Sequence, residues 1–137
     1  MQKQLRVLIV DDDPDDRTFF IEAAKEVDEE IECITANDGQ KALELLRNDQ
    51  SPLPDLIFLD IRMPLLNGKK CLQEIKDDKR LKHIPVVIYT TSKVIEEAVE
   101  LKKMGATHFI SKPSNAEEIY YLVSVVIEEH LLAIQKN

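Results

Sequence analysis

Short apolar runs alternate along this chain with longer stretches whose apolar residues recur every three or four positions. Residues 5–10 (LRVLIV) are mostly apolar and rich in β-branched side chains, which predicts a buried strand. Asp13-Pro14 then supplies a helix cap followed by proline at the first helical position. Phe19, Phe20, Ala23, Ala24 and Val27 mark one face of the first helix. A second short strand is predicted over 31–35, a turn at Asn37-Asp38-Gly39, and a helix carrying Ala42, Leu43 and Leu46. Pro52 and Pro54 punctuate the chain before a wholly apolar third strand over 56–59.

The second half keeps this rhythm. Asn67 and Gly68 open a third helix with Cys71, Leu72 and Ile75 on one face, and a charged DDKRLKH stretch comes after it. Pro85 leads into a fourth strand, VVIYT, and Val94, Ala98, Val99 and Leu101 stripe the fourth helix. Gly105-Ala106 precedes a fifth strand, HFIS. The fifth helix begins near Asn115, runs to about residue 134, and is expected to bury Ile119, Leu122, Val123, Val126 and His130. Strand–helix alternation specifies an α/β fold, (βα)5, with a doubly wound five-stranded parallel sheet and helices on both faces. A ligand of such a sheet sits beyond the carboxyl ends of the strands.

Composition narrows the choice of ligand and partner. At 137 residues the chain is expected to form one domain, residues 1–137, with no output domain. Its 18 Lys+Arg against 26 Asp+Glu leave a net charge of −8, which argues against nucleic acid and anionic membrane surfaces as partners. Without a membrane-length apolar run or a signal-peptide core, a cytoplasmic protein is expected. Cys33 and Cys71 fit neither a disulfide framework nor metal spacing, and read as buried free thiols.

The residues just after each strand carry the chemistry. Asp11 and Asp12 follow the first strand and Asp60 the third; Thr90 and Thr91 end the fourth, and Lys112-Pro113 the fifth. If the first and third strands are neighbours, three carboxylates converge. Two like charges ~4 Å apart repel by about 4 kcal/mol at an effective dielectric of 20, so the cluster stays ionised only around something positive. Hard oxygen ligands open to water suit Mg²⁺ better than zinc. The cation and Lys112 together would attract a phosphoryl group, with Thr90 donating a hydrogen bond. Taken singly, an Asp after a strand is an ordinary cap, Thr90 an ordinary strand end and Lys112 a solvated lysine. Their coincidence on one rim is the signal.

Four strings, VLIVDDDP, LIFLDIRMPLLNG, VVIYTT and GATHFISKP, resemble those of response-regulator receiver domains, the phosphoacceptor modules of two-component signalling, over essentially the whole chain. The D-x-x-M-P-x-x-x-G string is the most specific of them. The resemblance implies the flavodoxin-like, CheY-like strand order 2-1-3-4-5. It makes Asp60 the phosphoacceptor and assigns Mg²⁺ to Asp12, Asp60, the Arg62 backbone carbonyl and, through a water, Asp11. Thr90 and Lys112 would hold the phosphoryl oxygens, Phe109 would be the switch aromatic, and Lys112-Pro113 matches a peptide usually cis in the family. Arg62 and Thr91 stand where the family varies and flank the route of attacking water, so slow self-dephosphorylation is expected.

The partners implied are a sensor histidine kinase, or a hybrid kinase or phosphotransfer protein, and a downstream protein docking on the face of helix four, strand five and helix five. The sequence looks like stand-alone receivers paired with phytochrome-like or hybrid sensor kinases. Tyr121, Val125 and Leu132, beside the core stripe of helix five, suggest a partner or homodimer surface. Such a chain is a signalling protein, not a turnover enzyme.

Three rivals are weaker. Asp11, Asp13, Asp15 and Glu22 match a calcium-loop register, but Asp16 stands where that loop needs glycine. A haloacid-dehalogenase-like phosphatase wants a second Asp where Arg62 stands. A degenerate receiver, acting as a binding module, has no need of the complete acid, hydroxyl and lysine set. A phosphate sink differs from a signalling receiver only in the fate of the phosphoryl group.

Overall fold

The computed structural model describes residues 4–62, 67–91 and 94–135. Strands β1 (Arg6–Val10), β2 (Glu32–Ala36), β3 (Leu56–Leu59), β4 (Val86–Thr90) and β5 (His108–Ser111) alternate with five helices. These are α1 (Pro14–Val27), α2 (Gly39–Arg47), α3 (Gly68–Asp77), α4 (Ile95–Lys103) and α5 (Ala116–Gln135). The strands pair in parallel in the order β2-β1-β3-β4-β5, so the chain is a doubly wound α/β sheet as expected.

Every residue of β3 and β4 is buried, which is why both read as continuous apolar runs. Side chains alternate between the faces. Leu8, Val10, Ile57, Leu59, Val86 and Ile88 pack with α2, α3 and Leu101 of α4. Val7, Ile9, Leu56, Phe58, Val87 and Tyr89 pack with α1 and α5. Asp13 caps α1 as expected, accepting from the Asp15 and Asp16 N–H groups; Asn67, at the start of α3, accepts from Lys70, and Asp38, read from sequence as a turn residue, caps α2 by accepting from Lys41.

Four expectations need correction. Strand β2 begins and ends one residue later than predicted, because its register sets Glu32 opposite Arg6, with a 2.7 Å ion pair between the two side chains. Helix α4 does not bury its stripe: Leu101 is buried, Ala98 is half-buried, and Val94 and Val99 are exposed. Among the described side chains of α5 the buried set is Ile119, Val123, Val126 and Ile127, while Leu122 and His130 are half-buried. The His130 ring stands edge-on to His108, their centroids 6.2 Å apart. Of the two thiols expected to be buried, Cys71 is and Cys33 is only half-buried; both are free.

Candidate functional site

Register brings the acids together. Val10 pairs with Leu59, so the next residue of each strand, Asp11 and Asp60, emerges at the same level of the rim. The Asp60 N–H donates to the Val10 carbonyl at 2.9 Å, and the Asp11 N–H to that of Ala36 at 3.1 Å. Both residues are buried, at 3% and 6% exposure, while Asp12 opens to solvent. One oxygen from each of Asp11, Asp12 and Asp60 lies within 4.8 Å of the others. Asp11 Oδ1 accepts from the Asp13 N–H at 3.0 Å, and Asp60 Oδ1 from the Arg62 N–H at 3.0 Å. Arg17 Nη1 ties down the corner by donating to the Asp11 carbonyl at 2.6 Å.

Gly68, eight positions after Asp60, has a steric reason to be glycine. A Cβ there would stand 2.3 Å from Ile61 Cα and 2.5 Å from the Asp60 carbonyl oxygen. Its absence lets the first turn of α3 rest on the backbone that presents Asp60. Met63 and Pro64 of the same string lie outside the described residues.

Lys112 enters from the end of β5, and its N–H donates to the Thr90 carbonyl at 2.6 Å. Its ammonium reaches Asp11 Oδ2 at 2.7 Å, Asp16 Oδ2 at 2.8 Å and Asp60 Oδ2 at 3.1 Å. The Tyr89 ring lies beneath it, 5.3 Å from Nζ to the centroid. The Lys112-Pro113 peptide is trans, contrary to expectation. The lysine nevertheless points into the site, held by its backbone bond to Thr90 and by the three carboxylates. Burial alone would lower the pKa of Lys112, but hydrogen bonds to Asp11 and Asp16 and the charges of Asp11 and Asp60 outweigh it, holding the ammonium above the ordinary lysine range. Burial pushes the Asp11 carboxyl up, and the Lys112 and Asp13 hydrogen bonds return only part of that shift.

The remaining sequence-derived positions surround this centre. Thr90 is fully buried at the end of β4, in register with Ser111, and Thr91 is exposed beside it. Phe109 pairs with Ile88 and packs, half-buried, on the core beneath α3 and α4. Pro113 is half-buried. The Arg62 side chain extends toward α4, where Nη2 stands 3.9 Å from Glu97 Oε1. Sequence reasoning missed Asp16, assigned there only to the favourable end of the α1 dipole. No local signal marks it, because its partner Lys112 lies 96 residues further along the chain.

Three hard carboxylates, open to water through Asp12 and without His or Cys, make a donor set suited to a divalent cation such as Mg²⁺ or Mn²⁺. A buried cation, Lys112, already balances part of the charge.

Comparison with known proteins gives the same answer. The family model described as the response regulator receiver domain matches residues 7–124. Response regulator Rcp1 of Synechocystis sp. is 31% identical over 121 residues, covering 85% of this chain and 82% of its own. The crystal structure of the phosphorylated cyanobacterial phytochrome response regulator RcpA superposes with a TM-score of 0.89 at 30% identity, over 96% of both chains. The Mn²⁺-bound form of Rcp1 gives 0.84 at 29% identity, over 89% of this chain and 91% of that one. With its strand order, its acid cluster and a family match spanning most of its length, this chain belongs to the response regulator receiver domain family.

Proposed function

We propose that residues 1–137 work as one receiver unit in which Asp60 accepts a phosphoryl group with Mg²⁺ in the acid cluster. The observation carrying this reading is the meeting of Asp11, Asp12 and Asp60 under a buried lysine whose Nζ stands 3.1 Å from Asp60 Oδ2. An Asp60 carboxylate oxygen attacks phosphorus in line; the phosphorus–nitrogen bond to a kinase histidine breaks, and the leaving imidazole nitrogen ends protonated. Asp12, Asp60 and the Arg62 carbonyl would hold the cation, with Asp11 assisting. The cation supplies charge neutralisation at the phosphoryl oxygens. Lys112 and Thr90 take the remaining oxygens. Asp60 is well suited to the nucleophile's part, since the Arg62 N–H orients one of its oxygens.

The phosphoryl group adds roughly −1.5 to −2 charge. Thr90 moves toward it, Phe109 turns inward, and the face of α4, β5 and α5 shifts its population between two packings. Receiver domains take their phosphoryl groups from histidine kinases, so the donor is a sensor kinase, a hybrid kinase or a phosphotransfer protein in the cytoplasm. A downstream protein, or a second copy of this chain, docks on the switched face, where Ile95, Val99, Tyr121 and Val125 are exposed.

Incubation with Mg²⁺ and acetyl phosphate followed by intact mass tests this. The expected result is a gain of one phosphate in wild type and none in Asp60→Asn. Sustained hydrolysis of the donor instead indicates a phosphatase, and no gain indicates a binding module.

A further inference from the structure

The Lys112 ammonium has three N–H donors, and three carboxylates meet them. The Tyr89 ring closes the side beneath. Two of those carboxylates, Asp11 and Asp60, belong to the set able to hold a divalent cation, so lysine and cation draw on the same two carboxylates. Asp16 stands outside that set. It reaches Lys112 from the first turn of α1 with its side chain 21% exposed, nearer than Asp60 does.

We propose that Asp16 is a positioning residue that draws the charge of Lys112 away from Asp11 and Asp60 and so leaves their oxygens available to the cation. The inference rests on the reading of the acid cluster as a divalent-cation site. Removing the Asp16 charge leaves the ammonium shared between two carboxylates instead of three. Each then binds it more strongly, and the cation must displace a firmer ion pair. The loss of a nearby negative charge acts in the same direction. The local fold does not need the carboxylate: the Asp16 N–H is bound by Asp13, which caps the helix whatever side chain stands at 16.

Calorimetric titration of the full chain with Mg²⁺, and separately with Mn²⁺, tests the assignment in wild type, Asp16→Asn, Asp16→Ser, Lys112→Ala and the Asp16→Asn/Lys112→Ala double variant. Both Asp16 substitutions are expected to weaken binding about tenfold. In the Lys112→Ala background the Asp16→Asn loss shrinks to about threefold or less, because the residue acts mainly through the lysine. Thermal melts of the cation-free proteins confirm that each variant is folded. Wild-type affinity retained in both Asp16 variants overturns the inference and leaves the site reading intact. An undiminished Asp16→Asn loss without Lys112 overturns it too, since the carboxylate would then act on the cation directly. A wild-type chain that binds neither cation overturns the site reading and this inference together.

Discussion

Helices α4 and α5 flank the β5 edge on opposite faces of the sheet, and they are held very differently. Helix α5 buries Ile119, Val123, Val126 and Ile127 in the core that also holds Phe20, Ala23 and Ala24 of α1. Helix α4 buries Leu101 alone, starts at Val94 with no side-chain cap, and leaves Ile95 76% exposed. Between them β5 is half-buried along its length, whereas β3 and β4 are buried throughout. The rim that presents Asp11 and Asp60 therefore rises from the buried strands β1 and β3. The α4 edge beside Thr90 and Phe109 is thinly attached. A charge added at Asp60 would meet a buried floor on one side and a thinly covered helix on the other, where movement is expected to cost least.

Substitutions should sort along this division. The largest effect is expected for Phe20→Ala, which empties the site of a ring packed edge-on to Phe58 at 4.4 Å between centroids. A loss of about 3–5 kcal/mol is expected in chemical denaturation; a loss comparable to that of a surface change would mean the α1–α5 side is no firmer than the other. Next comes Gly68→Ala, whose new methyl meets backbone atoms of Asp60 and Ile61. It should destabilise by about 1–3 kcal/mol and slow phosphorylation of Asp60, measured by denaturation and by timed intact mass. Smallest is Val99→Ser on α4, 48% exposed. Its denaturation midpoint should move by no more than about 0.5 kcal/mol allows, and a larger change would show α4 to be more tightly packed than its burial implies.

The same division decides what could be read from the sequence. The alternation that built β1, β3 and β4 and the stripes of α1 to α3 was legible, because burial on both faces leaves unbroken apolar runs and burial on one leaves a helical period. The rim residues were legible because each ends a strand or stands within two residues of its end. On α4 periodicity failed: it identifies an apolar face but not whether the fold supplies a surface to cover it. Asp16 escaped because an acid in a first helical turn is already explained by the dipole, and only the folded chain brings Lys112, from β5, within 2.8 Å. The isomer of Lys112-Pro113 followed from resemblance, not from any local preference, and there the structure departs from the expectation. His130 looked like core because it continues the stripe, yet it is only half-buried, with its ring edge-on to His108.

The central claim is that Asp60, and no other acid of the cluster, carries the phosphoryl group. Borohydride reduction after incubation with acetyl phosphate and Mg²⁺ converts an acyl phosphate to the alcohol, and peptide mass spectrometry then locates it. The account predicts homoserine in place of Asp60 alone, dependent on both donor and cation. Homoserine at Asp11, Asp12 or Asp16, or reduction that is unaffected by removing Mg²⁺, would contradict it.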